Sequence, residues 1–354
     1  MKVGLLLLFQ GRTNESDAEM VQEEMGLALE AESMGFDRVM IVEHHFTDYA
    51  MSPDNAQLLS YVAAKTSRIE LMPSAFILPW NDPLRVAEKA ILLDHVSGGR
   101  VTLGLGRGLA RREFNAFRTD MAESRARFDE SAKMILRALE TGFIEGDGPF
   151  YPQPRVELRP RPIKSMAGRS YMVGASPGSL ATAAELGLGA MQFGVSPTEE
   201  TLAALAPYRE GYKTHQGVDA PPLMTADLMV CDRDAKRAEE YAREYQADYW
   251  YAVMNHYELL SHHFEEQGGT YDTYAAMSEF LRNDRDNAAA NGYVDNNLWG
   301  DPAQIIEQLR VKYDGFGGLD LALMASYSDM PYDLVRSSLK LFAEEVRAGL
   351  RSLR

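Results

Sequence analysis

The stretch RVMIVEHHFTDYAMSPDNAQLLSYVAAKTSRIELMP, residues 38–73, decides the fold class. It begins with a short apolar run at 38–42, continues into residues 54–65, where apolar residues recur at helical spacing, and ends in a second apolar run at 70–73. Short apolar strands joined through a helix are typical of parallel sheets that are buried on both faces. The stretch is therefore predicted to form a βαβ unit.

The same alternation continues along the chain in both directions. Eight strand-like segments, nearly all joined through helices, predict an α/β fold, a (β/α)8 TIM barrel with long insertions after barrel strands. An open doubly wound sheet remains the alternative, because periodicity alone does not exclude it. The predicted strands are 3–9, 38–42, 70–73, 101–106, 170–173, 190–193, 223–230 and 319–324, and the predicted helices are 17–34, 54–65, 83–96, 110–117, 123–141, 179–186, 199–214, 234–252, 303–313 and 332–350.

Two stretches, 141–169 and 255–297, are longer than the repeat allows. The 354 residues would suit two domains, yet a single barrel also reaches this length when it carries insertions. We expect one domain over residues 1–354. Loops that follow barrel strands surround the active site, so the polar stretch 255–297 is predicted to be an insertion that acts as a substrate lid.

The composition excludes several classes of protein. A formal net charge of −16 disfavours nucleic-acid binding, which needs an excess of Lys and Arg. One cysteine, Cys231, excludes a disulfide framework and is expected to be a buried structural residue. The apolar run at 3–9 is too short for a signal peptide or a membrane span, and no other run is long enough. We expect a cytoplasmic protein that binds neither nucleic acid nor membrane.

Two adjacent histidines follow the second predicted strand, where a barrel enzyme places catalytic groups. Neighbouring residues at a strand end point to opposite sides, so one histidine is expected to have a structural role and the other, His44, to act as a general acid or base. The pair lacks metal-ligand spacing, although His262 and His263 could join it across space. No metal site is predicted.

Residues after the fourth and fifth strands are suited to an anion. Arg107 lies among glycines that let a backbone approach a ligand, and Arg125 lies in the following helix. Gly174-Ala175-Ser176-Pro177-Gly178 formally matches the nucleophile elbow of serine hydrolases, but Pro177 lacks the N–H that an oxyanion hole requires. A helix that begins with Ser176 and Ser179 is instead suited to bind phosphate. A tight turn with a surface arginine is the alternative.

The third strand ends in Ser74 and Ala75, whose small side chains leave room for a flat ring, or simply pack. Taken together, these residues resemble the luciferase-like flavin monooxygenases, over about residues 1–250 and 298–345. The order and spacing of several motifs carry the resemblance: Glu43-His44-His45-Phe46-Thr47, Leu92-Leu93-Asp94, Ser97-Gly98-Gly99-Arg100, Arg107-Gly108-Leu109, and Phe117 with Asp120-Met121 and Ser124-Arg125.

The resemblance implies a (β/α)8 barrel that binds reduced FMN supplied by a separate flavin reductase. It also implies that O2 reacts there to form a flavin C4a-hydroperoxide, which inserts one oxygen atom into a small organic substrate, with His44 as the catalytic residue. A homodimer is a further implication. The implied cofactor-binding residues are Ser74, Ala75, Arg107, Leu109, Arg125, Val173, Ala175, Ser176 and Ser179, with an unusual cis peptide at Ser74-Ala75.

The chain departs from the family where light-emitting members carry a glutamate, a cysteine and a tryptophan near the flavin. It has Ala175, Gly106 and Gly194 there, which argues against light emission. Two alternatives stay open: a deazaflavin (F420)-dependent dehydrogenase on the same barrel, and a non-catalytic partner subunit. The presence of both His44 and Arg107 disfavours the partner subunit, and the histidine pair favours FMN. The sequence does not identify the substrate.

Overall fold

The computed structural model describes residues 1–174, 176–194, 198–284 and 286–350. Ala175, which the resemblance places at the cofactor, lies outside the described residues. Twelve strands occur within these ranges: β1 Val3–Leu7, β2 Arg38–Ile41, β3 Glu70–Pro73, β4 Phe76–Ile77, β5 Leu103–Gly106, β6 Phe143–Gly146, β7 Gln153–Glu157, β8 Ser170–Val173, β9 Gly189–Phe193, β10 Leu223–Cys231, β11 Leu298–Gly300 and β12 Leu319–Met324.

Eight of these strands form the ring of a TIM barrel, in the order β1, β2, β3, β5, β8, β9, β10 and β12, and β12 pairs again with β1. The paired strands of the ring are parallel, as in Leu5, which pairs with Val39 on one side and with Leu323 on the other. Between β3 and β5 the ring is completed by a parallel bridge from Leu71 to Val101. The predicted barrel is therefore confirmed, and the open sheet is excluded.

Helices cover the outside of the ring. In chain order the structure has α1 Asp17–Glu30, α2 Asn55–Lys65, α3 Pro83–Val96, α4 Arg111–Ala116, α5 Ser124–Thr141, α6 Pro177–Leu186, α7 Thr198–Gln216, α8 Ala235–Tyr241, α9 Ala247–His256, α10 His263–Gln267, α11 Asp272–Asn283, α12 Ala288–Asn296, α13 Pro302–Phe316, α14 Tyr332–Leu341 and α15 Arg347–Gly349. A π-helical turn, Ala242–Gln246, joins α8 to α9, and another, Phe342–Val346, joins α14 to α15.

Local sequence signals set several of the helix ends. Ser16 caps α1 in a capping box with Glu19, and Asp301 caps α13 in the same way with Gln304, so backbone N–H groups at both starts are satisfied. Helix α13 ends at Gly317, whose φ of +65° is the left-handed conformation that glycine adopts without steric cost. These ends orient each helix so that the next strand returns to the ring.

Both long excursions contain elements that the sequence analysis did not predict. The stretch 141–169 includes an antiparallel hairpin of β6 and β7. The stretch 255–297 contains helices α10, α11 and α12, and then β11 adds to the edge of β10. The predicted helices 234–252 and 332–350 are each divided by a π-helical turn. The role of 255–297 as a lid stays a prediction.

Apolar side chains from the strands and the inner faces of the helices form one large core. Cys231 is buried in it, as expected, and burial raises the pKa of its thiol to about 12. In the described part of the chain, no helix is both long and apolar enough to span a bilayer. A smaller apolar cluster, the insertion core, consists of Phe114, Met121, Met254, Leu259, Phe264, Tyr271 and Leu281.

Candidate active site

Glu43 fixes the loops at the carboxyl ends of β2 and β3. Its Oε1 accepts hydrogen bonds from Trp80 Nε1 at 2.9 Å and from Asn81 Nδ2 at 2.9 Å, and its Oε2 accepts one from the Ile77 backbone N–H at 3.1 Å. The His45 ring lies 3.4 Å from the same carboxylate and is buried. Because Glu43 bonds to both loops and to His45, these two side chains have a structural role and form a wall on one side of His44.

His44 points away from this wall and faces a second carboxylate. Its Nδ1 lies 3.1 Å from Glu113 Oε1, and its Nε2 lies 3.3 Å from the Tyr257 hydroxyl. Glu113 belongs to α4, the short helix that follows β5, and it is further oriented by the His45 backbone N–H, which donates to its Oε1 at 2.8 Å. The two histidines therefore have different partners, and the buried carboxylate orients the imidazole of His44.

Aromatic rings surround His44 on the side of the insertion. The rings of Tyr49 and His256 stack at 4.2 Å, and each meets the His44 ring edge-on, at 5.1 and 4.9 Å. The Tyr49 hydroxyl lies 3.0 Å from that of Tyr249. His44 is therefore partly buried, with aromatic rings on the side of the insertion and the Glu113 carboxylate at its Nδ1.

Burial controls the protonation of the groups around His44. It raises the pKa of the Tyr257 hydroxyl well above its ordinary value, and the nearby charge of Glu113 adds to that rise. Burial also lowers the pKa of His256 to about 2, with His44 and Arg112 contributing in the same direction. Tyr257 and His256 are therefore neutral around pH 7.

The insertion is fastened to α4, the helix that carries Glu113. Arg111 forms an ion pair with Glu258 at 2.5 Å, and Arg112 Nη2 donates to the Asn255 carbonyl at 3.0 Å. Beneath these polar contacts, Phe114 of α4 packs into the insertion core. Helix α4 therefore connects the insertion mechanically to the His44–Glu113 pair.

A second group of residues forms a site for an anion, which we name the anion cradle: Arg107, Arg125, Ser176 and Ser179. Arg125 Nη2 donates to Ser179 Oγ at 2.9 Å, and Ser179 Oγ lies 2.9 Å from Ser176 Oγ, the residue that caps α6. Burial and, after it, the charge of Arg107 lower the pKa of Arg125, so two cations are held close together. The structure thus brings together all four residues that the sequence predicted for phosphate.

The anion cradle has unused donors. Arg107 Nη1 and Arg125 Nη1 are buried with no hydrogen-bond partner in the described structure, and the nearby charge of Asp129 offsets part of the charge of Arg125. Arg107 is buried and Arg125 is half-buried, so holding these like charges close together is costly unless an anion joins them, because each loses part of its hydration. The positive N-terminal end of α6 faces the same place. A phosphate dianion would satisfy all of these groups.

Tyr271 connects the insertion to the anion cradle. The Arg107 guanidinium lies over its ring at 4.8 Å, and the Tyr271 hydroxyl lies 2.6 Å from Ser124 Oγ and donates to the Met121 carbonyl at 3.1 Å. The aromatic face stabilises the cation and limits its rotation. The insertion therefore contacts both the His44 pocket and the anion cradle.

Small residues occupy the strand ends beside the anion cradle. The Ser74–Ala75 peptide is cis, as the resemblance implied, and Ser74 Oγ is buried with no partner in the part of the chain that the structure describes. An added Cβ on Gly106 would lie 3.2 Å from the Ala75 Cβ, so glycine keeps this part of the barrel mouth open. Val173 ends β8 and is partly buried, and Leu109 packs at the margin of the insertion core. These residues could border a flat ring.

Sequence reasoning missed Glu113, His256, Tyr257 and Tyr271. Glu113 stands in the charged run Arg111-Arg112-Glu113, which has the pattern of a surface helix. The other three belong to the stretch 255–297, in which the motifs carry no resemblance. The one available signal for Glu113 was its position shortly after a barrel strand.

A cavity of about 460 Å³ lies elsewhere, between α7 and α13. Its lining includes Gln192, Thr225, Gln308 and Lys312, and Lys312 already forms an ion pair with Asp227. Among the described residues predicted to form the site, none lines this cavity, although Gly194, one of the positions that the resemblance places near the flavin, does.

Comparison with known proteins finds a matching family model, similar proteins and similar solved structures. The family model described as luciferase-like monooxygenase matches residues 1–319. The alkanal monooxygenase alpha chain of Photorhabdus laumondii is 25% identical over 357 residues, which cover 99% of this chain and 98% of that protein. The crystal structure of monooxygenase RslO1 from Streptomyces bottropensis has a TM-score of 0.83 and 25% identity, covering 98% of this chain and 99% of that one.

A more distant structure shares the fold. The oxygenating constituent of 3,6-diketocamphane monooxygenase from Pseudomonas putida, solved in complex with FMN, has a TM-score of 0.72 at 20% identity and covers 98% of both chains.

Proposed function

Because this chain belongs to the luciferase-like monooxygenase family, we propose that it is an FMN-dependent enzyme that inserts one atom of O2 into a small organic substrate. The observation that carries the proposal is the anion cradle, in which Arg107 and Arg125 each keep a buried Nη1 that has no partner among the described residues. The residues fit the phosphate of FMN: two guanidinium groups, two serine hydroxyls and a helix N-terminus face one place.

The bound cofactor would supply the electrons that activate O2, and the protein's own residues do the rest. The anion cradle fixes one end of the cofactor. Ser74, Ala75, Gly106 and Val173 leave space for the ring system. The aromatic pocket excludes water, which supports proton transfer and limits side reactions.

His44 is the proposed proton donor and acceptor at the reaction centre. Glu113 is its positioning residue, since the hydrogen bond to Nδ1 fixes the tautomer and directs Nε2 toward the pocket. The Tyr257 hydroxyl stands 3.3 Å from that Nε2 and has a raised pKa, so it is a neutral hydrogen-bond partner of the imidazole. If a ligand displaces the Tyr257 hydroxyl, Nε2 of His44 becomes free to exchange a proton with that ligand.

The deazaflavin alternative predicts a different preference of the anion cradle. FMN ends in a phosphate monoester, which carries two negative charges and matches two guanidinium groups. The phosphate of the deazaflavin cofactor is a diester and carries only one negative charge. Anaerobic titration with FMN, riboflavin and the deazaflavin cofactor separates the alternatives. We expect FMN to bind most tightly, and tighter binding of the deazaflavin cofactor would refute the proposed cofactor.

A separate reductase is part of the proposal, because reduced FMN must come from elsewhere if the chain binds only the flavin. A homodimer is also proposed. Helices α2 and α3 are neighbours, and they expose Tyr61, Leu92 and Val96, each more than half accessible. Large exposed apolar side chains on adjacent helices favour association. Light scattering on the purified chain at micromolar concentration would give twice the monomer mass.

A further inference from the structure

Three possible metal ligands converge beside the proposed reaction centre. His44 Nδ1 lies 3.1 Å from Glu113 Oε1, and His256 Nε2 lies 3.9 Å from the same oxygen. One ligand atom from each of the three residues lies within 4.8 Å of the other two. They come from three separate parts of the chain, the loop after β2, helix α4 and the end of α9. The fold itself therefore gathers them.

The remaining ring nitrogens of both histidines are held by hydroxyl groups. His256 Nδ1 lies 3.1 Å from Thr47 Oγ1, and His44 Nε2 lies 3.3 Å from the Tyr257 hydroxyl. Histidines that bind metals usually donate their other N–H to such an acceptor, which fixes the ring orientation. Glu113 Oε1 likewise keeps the His45 N–H as a donor and has a second lone pair available.

His256 Nε2 is the observation that points to a ligand. The side chain is 1% exposed, and its Nε2 has no hydrogen-bond partner in the described structure. If Nδ1 donates to Thr47, the lone pair on Nε2 faces a carboxylate oxygen, an unfavourable contact between two acceptors. If Nε2 carries the proton, its N–H is buried 3.9 Å from that oxygen without a hydrogen bond. A cation between the three groups resolves both cases.

We propose that His44 Nδ1, Glu113 Oε1 and His256 Nε2 form a binding site for one divalent transition-metal ion of the Zn²⁺ class. Two imidazoles and one carboxylate are a known ligand set for zinc, with the fourth position left to water. Ligand atoms around tetrahedral zinc lie roughly 3.4 Å apart. The observed 3.1 and 3.9 Å lie on either side of that value, and the third pair, His44 with His256, lies within 4.8 Å, so side-chain movements that draw the two imidazoles together would complete the site.

The site differs from the expectation drawn from the sequence. No metal site was predicted there, and His262 and His263 were the histidines considered as additional ligands. In the structure His262 contacts Glu265 and His263 contacts Ser261. His256 takes the place beside His44 instead.

Metal binding has a consequence for the proposed reaction. An ion on His44 Nδ1 would replace the hydrogen bond to Glu113 and remove the imidazole from proton transfer. We therefore expect Zn²⁺ to inhibit oxygenation, a consequence that rests on the proposed function. Binding of the ion itself needs neither flavin nor O2.

The test measures binding of Co²⁺, a spectroscopic substitute for Zn²⁺, to the chelator-treated, flavin-free full chain. We expect visible ligand-field absorption that saturates at one equivalent. His256→Ala should weaken Co²⁺ binding by at least about tenfold, and Thr47→Val, which removes only the hydroxyl partner of His256, should weaken it by about 10- to 100-fold. His262→Ala is the matched control, because His262 is an exposed histidine of the same insertion.

Equal Co²⁺ affinity of the wild type and His256→Ala would overturn the proposal, as would the lack of binding by the wild type below about millimolar concentration. Thr47→Val decides the matter if His256→Ala does not fold, and unchanged affinity of Thr47→Val would then count against the site. Because the measurement uses flavin-free protein and no organic substrate, its result can be interpreted even if the FMN proposal fails.

Discussion

Substituting Arg125 by alanine separates a cofactor-binding role of the anion cradle from a structural one. Within the described residues and without cofactor, Arg125 makes one hydrogen bond, to Ser179, and its Nη1 has no partner. Its burial and the nearby charge of Arg107 both disfavour the charged form. The nearby charge of Asp129 offsets part of this effect, and a phosphate dianion would offset more of it.

The expected magnitude follows from these contacts. A hydrogen bond to a charged group contributes about 1.5–3 kcal/mol, so loss of the Arg125 contact with phosphate should weaken FMN binding by about 10- to 150-fold. The free energy of unfolding without FMN should change by no more than about 1 kcal/mol, because the variant loses one hydrogen bond but relieves the repulsion from Arg107. Fluorescence titration of FMN and urea unfolding of the flavin-free protein measure the two quantities.

Arg137→Ala provides the control, since Arg137 lies on the same helix, is exposed and pairs with Glu145. Its FMN affinity should equal that of the wild type. Riboflavin affinity should be the same for all three proteins, because riboflavin lacks the phosphate. The reasoning would be refuted if Arg125→Ala bound FMN as tightly as the wild type, or if it lost FMN and riboflavin binding equally.

His44→Ala should keep FMN affinity within about threefold and lose nearly all coupled product, because it removes the proton-transferring group and leaves the anion cradle intact. Unchanged product yield, measured by mass spectrometry, would remove His44 from the mechanism. Tyr271→Leu should weaken FMN binding by about two- to fivefold, since the ring that holds the Arg107 guanidinium is lost; equal affinity in a flavin titration would show that the ring does not orient Arg107. Glu24 is buried, and its pKa in the folded state is raised from 4.5 to about 7. The free energy of unfolding of the wild type should therefore fall by up to about 3 kcal/mol as the pH rises from 4.5 to 7. Glu24→Gln should not show this loss. The prediction would be wrong if urea unfolding gave the same pH dependence of stability for the wild type and Glu24→Gln.

The barrel could be predicted from the sequence because its strands are buried on both faces. Such strands appear as short apolar runs, and all eight predicted runs correspond to strands of the ring. Strands β6, β7 and β11 lie outside that pattern: β7 is largely exposed, and β11 has three residues. The insertion helices α10 and α11 pack partly against each other and α4 rather than against the ring, so the repeat of the barrel does not indicate them.

The parts of the candidate site that could be predicted are those in which the residue types themselves suggest a ligand. Arginines beside glycines and serines at a helix start predicted an anion site, with a tight turn and a surface arginine as the alternative. The roles of Glu113 and His256 could not be predicted from local sequence. They depend on the fold, which brings residues 44, 113 and 256 within a few ångströms of one another. The cis Ser74–Ala75 peptide was expected from the resemblance and not from any residue property.

The most direct test of the central claim is the origin of oxygen in the product. The purified chain, supplied with enzymatically regenerated FMNH2 and ¹⁸O2, is screened against small apolar organic compounds by mass spectrometry, with catalase present to remove free peroxide. We expect a product that is 2 mass units heavier with ¹⁸O2 than with ¹⁶O2, formed by the wild type and not by His44→Ala. A product whose oxygen comes from water, or one that forms equally well in both proteins, would contradict it.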